Sequence, residues 1–107
     1  MKTLIRRTLH LMRVGWGNGY VLIPPTHPLH GVDYWDINVD VHGGLTYSQL
    51  VTEKKVNHWV ELDAEDIGKW CVGFDTCHFH DTLKDWPKER VQEETEKLKK
   101  QLIAYIK

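Results

Sequence analysis

The sequence predicts an α+β fold: a single domain over residues 1–107, with an antiparallel sheet of four to five strands packed against a C-terminal amphipathic helix. Short apolar runs bounded by glycine and proline indicate the strands. After Pro87, the spacing of Val91, Leu98 and Leu102 places them on one helical face. A chain of 107 residues suits one domain with one core.

Composition excludes several functional classes. The net charge of −1 provides no general attraction to nucleic acid. No apolar run approaches the roughly 18 residues that cross a bilayer, so no membrane partner is expected. Basic residues interrupt the apolar N-terminal segment, which therefore does not resemble a signal peptide. Two cysteines form no disulfide framework, which favours a cytoplasmic protein.

The N-terminal elements are predicted in order. Residues 1–14 permit a short helix, with a strand as a nearly equal alternative, and the glycines of 15–19 end that element. Residues 20–23 form a short apolar run that predicts a buried strand. The prolines in the loop that follows restrict its backbone and hold His27 in place.

Residues 36–42 alternate strictly between polar and apolar side chains, which predicts a half-buried strand with a polar row on one face. Gly43 and Gly44 then indicate a hairpin. A two-residue turn would place His42 opposite Leu45. The preferred three-residue loop matches polar with polar and apolar with apolar by pairing His42 with Thr46, Asp40 with Ser48, and Val41 with Tyr47.

A solvated sheet face would also produce a polar row, but this one contains no Lys, Arg or Glu, which favours a site. Further along, residues 56–62 indicate an edge strand, 63–66 a solvated acidic loop and 69–74 a central strand. Asp85 is predicted to cap a helix of about 20 residues, with Pro87 in its first turn.

We expect the loop at 26–34, the glycine hairpin and the loop at 75–81 to converge on one polar pocket. The backbone of the two glycines would donate N–H groups to an anion. The candidate ligand-binding residues are His27, Asp40, His42, Gly43, Gly44, Thr46, Asp75, His78 and Asp81.

Several functions fit this pocket. Recognition of a small polar or nucleotide-like ligand is preferred, because polar groups alternate with aromatic walls. No diagnostic metal motif is present. Three ligands for zinc or a similar ion could come from His42, His78 and His80 with Asp40, Asp75 or Asp81, and the preferred set is His42, His78 and Asp75. Metal-free acid–base chemistry, with Thr46 or Ser48 beside the imidazole, is a third alternative. Protein binding and a purely structural role stay open, as do catalysis itself and the identity of any cofactor.

Three motifs together resemble a family of small bacteriophage and prophage proteins: HPLxG at residues 27–31, VHGGLTY at 41–47 and GFDxxH at 73–78. The similarity covers roughly residues 15–50 and 70–105. Its recurring polar positions correspond here to His27, His42, Asp75, His78 and Asp81.

This resemblance implies a phage-encoded accessory protein that acts in the host bacterial cytoplasm, and it names no reaction. His80 stands where a small residue is expected, which counts against it as a metal ligand. The hypothesis is a protein that binds a small polar or nucleotide-like ligand and thereby blunts a host defence signal, with assembly into homo-oligomers as an open alternative. A metal-assisted hydrolase and an inhibitor of a host protein are the rival functions.

Overall fold

The computed structural model describes residues 1–8, 14–56 and 60–105. Over these ranges the predicted α+β fold is confirmed. Four strands form one antiparallel sheet in the order β1-β2-β6-β3, and two further strands, β4 and β5, pair with each other. The elements are β1 (Lys2–Arg7), β2 (Gly17–Ile23), β3 (Tyr47–Leu50), β4 (Lys55–Val56), β5 (Val60–Glu61), β6 (Trp70–Phe74) and the helix α1 (Lys88–Ala104).

The two central strands and the helix form the core. β2 and β6 pair from Gly19 opposite Phe74 to Ile23 opposite Trp70, and most of their side chains are buried. Helix α1 packs against β1 and β2. Its buried side chains are Val91, Thr95, Leu98 and Leu102, spaced as one helical face requires. None of the helices described crosses a membrane, because none is both long and apolar enough.

The predicted strand at 36–42 is wrong. Residues Tyr34–Asp36 form a 3₁₀ turn, and the segment that follows is extended without joining the sheet. The segment lies along α1. There the side-chain amide of Gln101 donates to the Asp40 carbonyl at 2.8 Å and accepts from the Asp40 N–H at 2.7 Å. Ile37 and Val41 are buried as the alternation predicts, but they pack in the core shared with the helix.

The predicted hairpin is also wrong. The Gly44 N–H donates to the Val41 carbonyl at 2.8 Å, so the glycines do make a turn. However, β3 pairs with β6, in a register that sets Tyr47 opposite Gly73. Ser48 does not meet Asp40, because its hydroxyl accepts a hydrogen bond from the Tyr34 N–H at 3.1 Å. Residues 47–50 pair instead with the edge of the buried strand β6.

Other boundaries also differ from prediction. Within residues 1–14 the chain forms a strand, β1, which was the alternative to the predicted helix. Positions 9–13 lie outside the described ranges. The single strand expected at 56–62 is two short paired strands, and residues 57–59 are not described. Helix α1 is 17 residues long. Asp85 does not cap it, because Pro87 occupies the N-cap position and the Asp85 N–H donates to the Thr82 hydroxyl.

The acidic segment at 63–66 is exposed at residues 63–65, as a solvated loop would be, but Asp66 is completely buried. It belongs to a 3₁₀ helix, Ala64–Asp66, and its carboxylate accepts from Lys2 at 2.7 Å and from Lys69 at 2.9 Å. Burial alone would raise the pKa of Asp66, but the hydrogen bonds from the two lysines lower it to about 2. The two ion pairs of Asp66 therefore connect β1, which carries Lys2, to Lys69 just before β6.

We expect Asp66→Asn to lower the free energy of unfolding at pH 7 by about 3 kcal/mol, because it leaves two lysines without their buried partner. Urea denaturation followed by circular dichroism measures the change. Since the folded pKa of Asp66 lies below its unfolded value of about 3.9, this stabilisation is present above pH 4 and is lost as the pH falls toward 2.

The control is Glu65→Gln, which removes an exposed carboxylate from the same 3₁₀ helix and is expected to change stability by less than about 0.5 kcal/mol. Equal effects of the two substitutions at pH 7 would contradict the role assigned to Asp66. So would a difference between the wild type and Asp66→Asn that stays constant down to pH 2.

Candidate functional site

The loop that follows β6 is fixed by the segment that leads into β2. The Gly15 N–H donates to the Thr76 carbonyl, and the Thr76 hydroxyl donates to the Gly17 carbonyl, each at 2.8 Å. The Trp16 N–H donates to the Trp86 carbonyl, also at 2.8 Å. Residues 75–86 therefore have a defined position at the Phe74 end of the sheet.

Asp81 is the centre of a cluster in this loop. Its Oδ1 lies 2.8 Å from His42 Nε2, and its Oδ2 lies 2.7 Å from His78 Nδ1. Oδ2 also accepts from the His78 backbone N–H at 2.9 Å, and the Asp81 N–H donates back to the His78 carbonyl. The two imidazole rings are 5.0 Å apart and nearly perpendicular. One carboxylate thus orients two histidines that are distant in sequence.

The Asp81 side chain is only 6% exposed. Burial alone would raise its pKa, but the backbone N–H of His78 and the two imidazoles donate to the carboxylate and lower the pKa. The carboxylate is therefore ionised at neutral pH and faces one ring N–H of each histidine. His42 Nδ1 and His78 Nε2 are the ring nitrogens that do not face Asp81.

Trp86 holds the first imidazole in place. The His42 ring stacks on the buried Trp86 ring, with centroids 4.1 Å apart and planes inclined by 33°. The guanidinium of Arg90 lies 4.2 Å from the centroid of the same indole, within the range of cation–π attraction. Because its ring stacks on the indole and its Nε2 bonds Asp81, His42 is restricted to one orientation.

Gly43 fits against the second imidazole. A Cβ atom at this position would overlap His78 Cε1 and Nε2, and the backbone φ of +69° disfavours any residue with a Cβ. Glycine therefore lets the backbone pack directly against the Nε2 edge of His78. Asp75 Oδ1 lies 3.5 Å from the same Nε2.

An open groove of about 330 Å³ adjoins the cluster, with Trp86 as the shared wall. Its other lining residues come from the first half of α1. They are Arg90, Glu93, Glu94 and Lys97. The groove thus offers both cationic groups and carboxylates, and it meets the cluster at Trp86, because neither imidazole lines it.

The structure brings together five of the nine candidate residues: His42, Gly43, Asp75, His78 and Asp81. The neighbouring position of the two histidines agrees with the convergence expected for the hairpin and the loop at 75–81. The potential metal ligands change in one respect. The donor atoms within 4.8 Å of one another belong to His42, His78 and Asp81 rather than Asp75.

His27 is not part of this cluster. β2 ends at Ile23 opposite Trp70, so the proline-rich loop leaves the sheet at the far end of β6, roughly 13 Å from Phe74 by strand rise. There His27 Nδ1 accepts a hydrogen bond from the Leu29 N–H, while its Nε2 is buried without a hydrogen-bond partner in the part of the chain described. The expected convergence of the 26–34 loop with the other two is therefore wrong.

Asp40, Gly44 and Thr46 also lie outside the cluster. The Asp40 carboxylate is exposed and pairs with Lys97 on α1 at 3.3 Å. The Gly44 N–H closes the turn to Val41, so it is not available to an anion. Thr46 is exposed, and its backbone N–H extends the pairing with β6 by donating to the Gly73 carbonyl. Because the hairpin does not form, its expected polar face does not form either.

Trp86 and Arg90 were not recognised from the sequence as parts of a site. Asp85-Trp86-Pro87 was interpreted only as the start of a helix. The signal that could have identified Trp86 is the presence of an aromatic residue in the loop that also carries His78 and Asp81.

Comparison of the chain with family models, with curated proteins and with solved structures found no match in any of the three.

We expect Gly43→Ala and Gly44→Ala to differ, although both glycines have positive φ, +69° and +78°. Gly44→Ala meets open space and should cost about 1 kcal/mol of stability from backbone strain alone. Gly43→Ala adds the overlap with His78 and should cost about 2 to 3 kcal/mol. Urea denaturation gives the free energies, and the imidazole ¹H–¹⁵N resonances report the position of His78.

Only Gly43→Ala should shift the His78 ring resonances. Unchanged His78 resonances in a folded Gly43→Ala protein would contradict the close packing of the glycine on the imidazole.

Proposed function

We propose that the protein binds a small polar ligand with an anionic group, such as the phosphate of a nucleotide, at His42 and His78. The observation that supports this most is the shared carboxylate. Asp81 orients both imidazoles by hydrogen bonds and is itself buried. A ligand meets the outer edges of two imidazoles, and the Asp75 carboxylate lies 3.5 Å from His78 Nε2. When protonated, each ring has a second N–H to donate to an anionic oxygen while the first bonds Asp81. The two histidine side chains are 25% and 36% exposed, so a ligand can reach them.

The surroundings suit a ligand larger than a simple ion. Arg90 adds a permanent positive charge close to Trp86, and arginine pairs well with phosphate oxygens. Along the adjoining groove, Glu93 and Glu94 offer hydrogen-bond acceptors. A nucleotide carries both features, a phosphate for the cationic groups and hydroxyl or amino donors for the carboxylates.

The biological setting of the proposal comes from the sequence resemblance. A phage accessory protein that sequesters a nucleotide-like signal in the host cytoplasm would blunt a defence response without catalysing a reaction. A metal-assisted hydrolase would use the same histidines to consume the ligand. The two differ in outcome, because sequestration returns the ligand intact on denaturing the protein, whereas hydrolysis does not.

A protein partner is the second candidate function, favoured by one observation. Phe79 and Leu83, in the loop that carries His78 and Asp81, are 92% and 52% exposed. Large apolar side chains left in water beside a polar cluster are a common feature of protein interfaces. An inhibitor of a host protein would cover them, and their substitution would then weaken that association.

We expect the melting temperature to rise when the protein is titrated with a panel of nucleotides and with inorganic phosphate. A ligand at 100 times its Kd stabilises the fold by about 2.7 kcal/mol. His42→Gln and His78→Gln should weaken binding at least tenfold, because each removes an imidazole that contacts the ligand. Calorimetric titration at neutral pH measures the affinities.

The matched control is His80→Gln, which removes an exposed imidazole from the same loop. It should bind as the wild type does. The proposal fails if no member of the panel stabilises the wild type, or if the ligand that binds does so equally well to His42→Gln and His78→Gln.

A further inference from the structure

We infer that the cluster of His42, His78 and Asp81 binds a divalent transition-metal ion of the zinc type, with the ligand's anionic group or a water molecule completing its coordination. This deepens the proposed function and rests on it, since the same two histidines form the site. The ion would take the nitrogens that face Asp81, His42 Nε2 and His78 Nδ1.

The donor set is one that zinc favours. Two imidazole nitrogens and one carboxylate oxygen lie within 4.8 Å of one another. Zinc binds such groups at about 2.0–2.2 Å, which in tetrahedral geometry separates the donor atoms by roughly 3.3 Å. The present nitrogen–oxygen distances are 2.8 and 2.7 Å. For a zinc ion to replace the shared hydrogens, each imidazole would have to move away from Asp81 by about 0.5 Å, and the widest donor separation, up to 4.8 Å, would have to close toward roughly 3.3 Å.

Charge also favours a cation at this point. The protein has a second buried carboxylate, Asp66, which is matched by the ammonium groups of Lys2 and Lys69. The ion-pair partners described for Asp81 are imidazoles, which carry a full charge only when protonated. A dication placed between Asp81 and the two rings would balance the buried negative charge.

The donors are held in position before any ion arrives. Stacking on Trp86 fixes His42, the contact with Gly43 fixes His78, and the His78 backbone N–H fixes the carboxylate of Asp81. A site whose ligands are already ordered loses little conformational entropy when it takes up an ion. Because His42 and Asp81 lie 39 residues apart, a bound ion would also cross-link two segments of the chain.

The partial exposure of both histidines leaves room for further ligands. Three protein ligands with an open position are typical of zinc sites that bind or activate a small molecule, whereas structural sites have four. The open position is where an anionic oxygen of the proposed ligand would coordinate, so the metal would recognise the same chemical group as the imidazoles.

The test uses full-length protein without a histidine tag, stripped of metal by a chelator and then titrated with Zn²⁺ and with Co²⁺. We expect one equivalent of Zn²⁺ to bind with micromolar or tighter affinity and to raise the melting temperature. Co²⁺ should give visible absorption bands of a four- or five-coordinate ion. His42→Gln and His78→Gln should weaken binding at least a hundredfold, and His80→Gln should not change it.

Amide ¹H–¹⁵N spectra establish that each variant is folded. Asp81→Asn also disturbs the turn at His78, so the histidine variants are the decisive ones. The inference is overturned if the wild type binds less than about a tenth of an equivalent. Equal binding by the wild type and by folded His42→Gln and His78→Gln also overturns it, because the ion then lies elsewhere.

The two proposals can fail separately. Binding of a nucleotide or phosphate to metal-free protein, combined with no uptake of Zn²⁺, would retain the proposed function and reject the metal. Uptake of Zn²⁺ that depends on both histidines, with no member of the ligand panel bound in its presence, would retain the metal site and reject the ligand.

Discussion

The site depends on one carboxylate. Asp81 joins two segments separated by 39 residues, and it does so with both oxygens, one for each imidazole. Its hydrogen bonds to His42 and His78 set the distance between the turn after Val41 and the loop after β6. The surrounding structure supports this bridge, since Trp86 and Gly43 pack against the two rings and the start of β2 fixes the loop.

Two buried carboxylates, Asp66 and Asp81, illustrate different uses of a buried charge. Asp66 lies between two lysines and ties β1 to the chain before β6, which is a task of stability. Asp81 bonds two partly exposed imidazoles, which a ligand can reach. A charge with permanent partners holds a fold together, whereas one with exchangeable partners is available for binding.

The periodicity of the sequence predicted which residues are buried better than it predicted which elements they pack against. The alternation at 36–42 identified Ile37 and Val41 as buried residues. It did not predict that a helix would cover them, because alternation shows which side chains face inward and not which element packs against them. The proximity of His42 and His78 followed from their repeated loop chemistry. The placement of His27 did not, because it depends on which end of β2 the loop leaves, and that is a property of strand pairing.

The double hydrogen bond between Gln101 and the Asp40 backbone has a mechanical consequence. It joins the C-terminal half of α1 to a segment without regular secondary structure, at a point two residues before His42. The helix therefore takes part in positioning His42, together with the Trp86 ring and the Asp81 carboxylate. A substitution of Gln101, far from the cluster in sequence, would remove one of these three restraints on the imidazole.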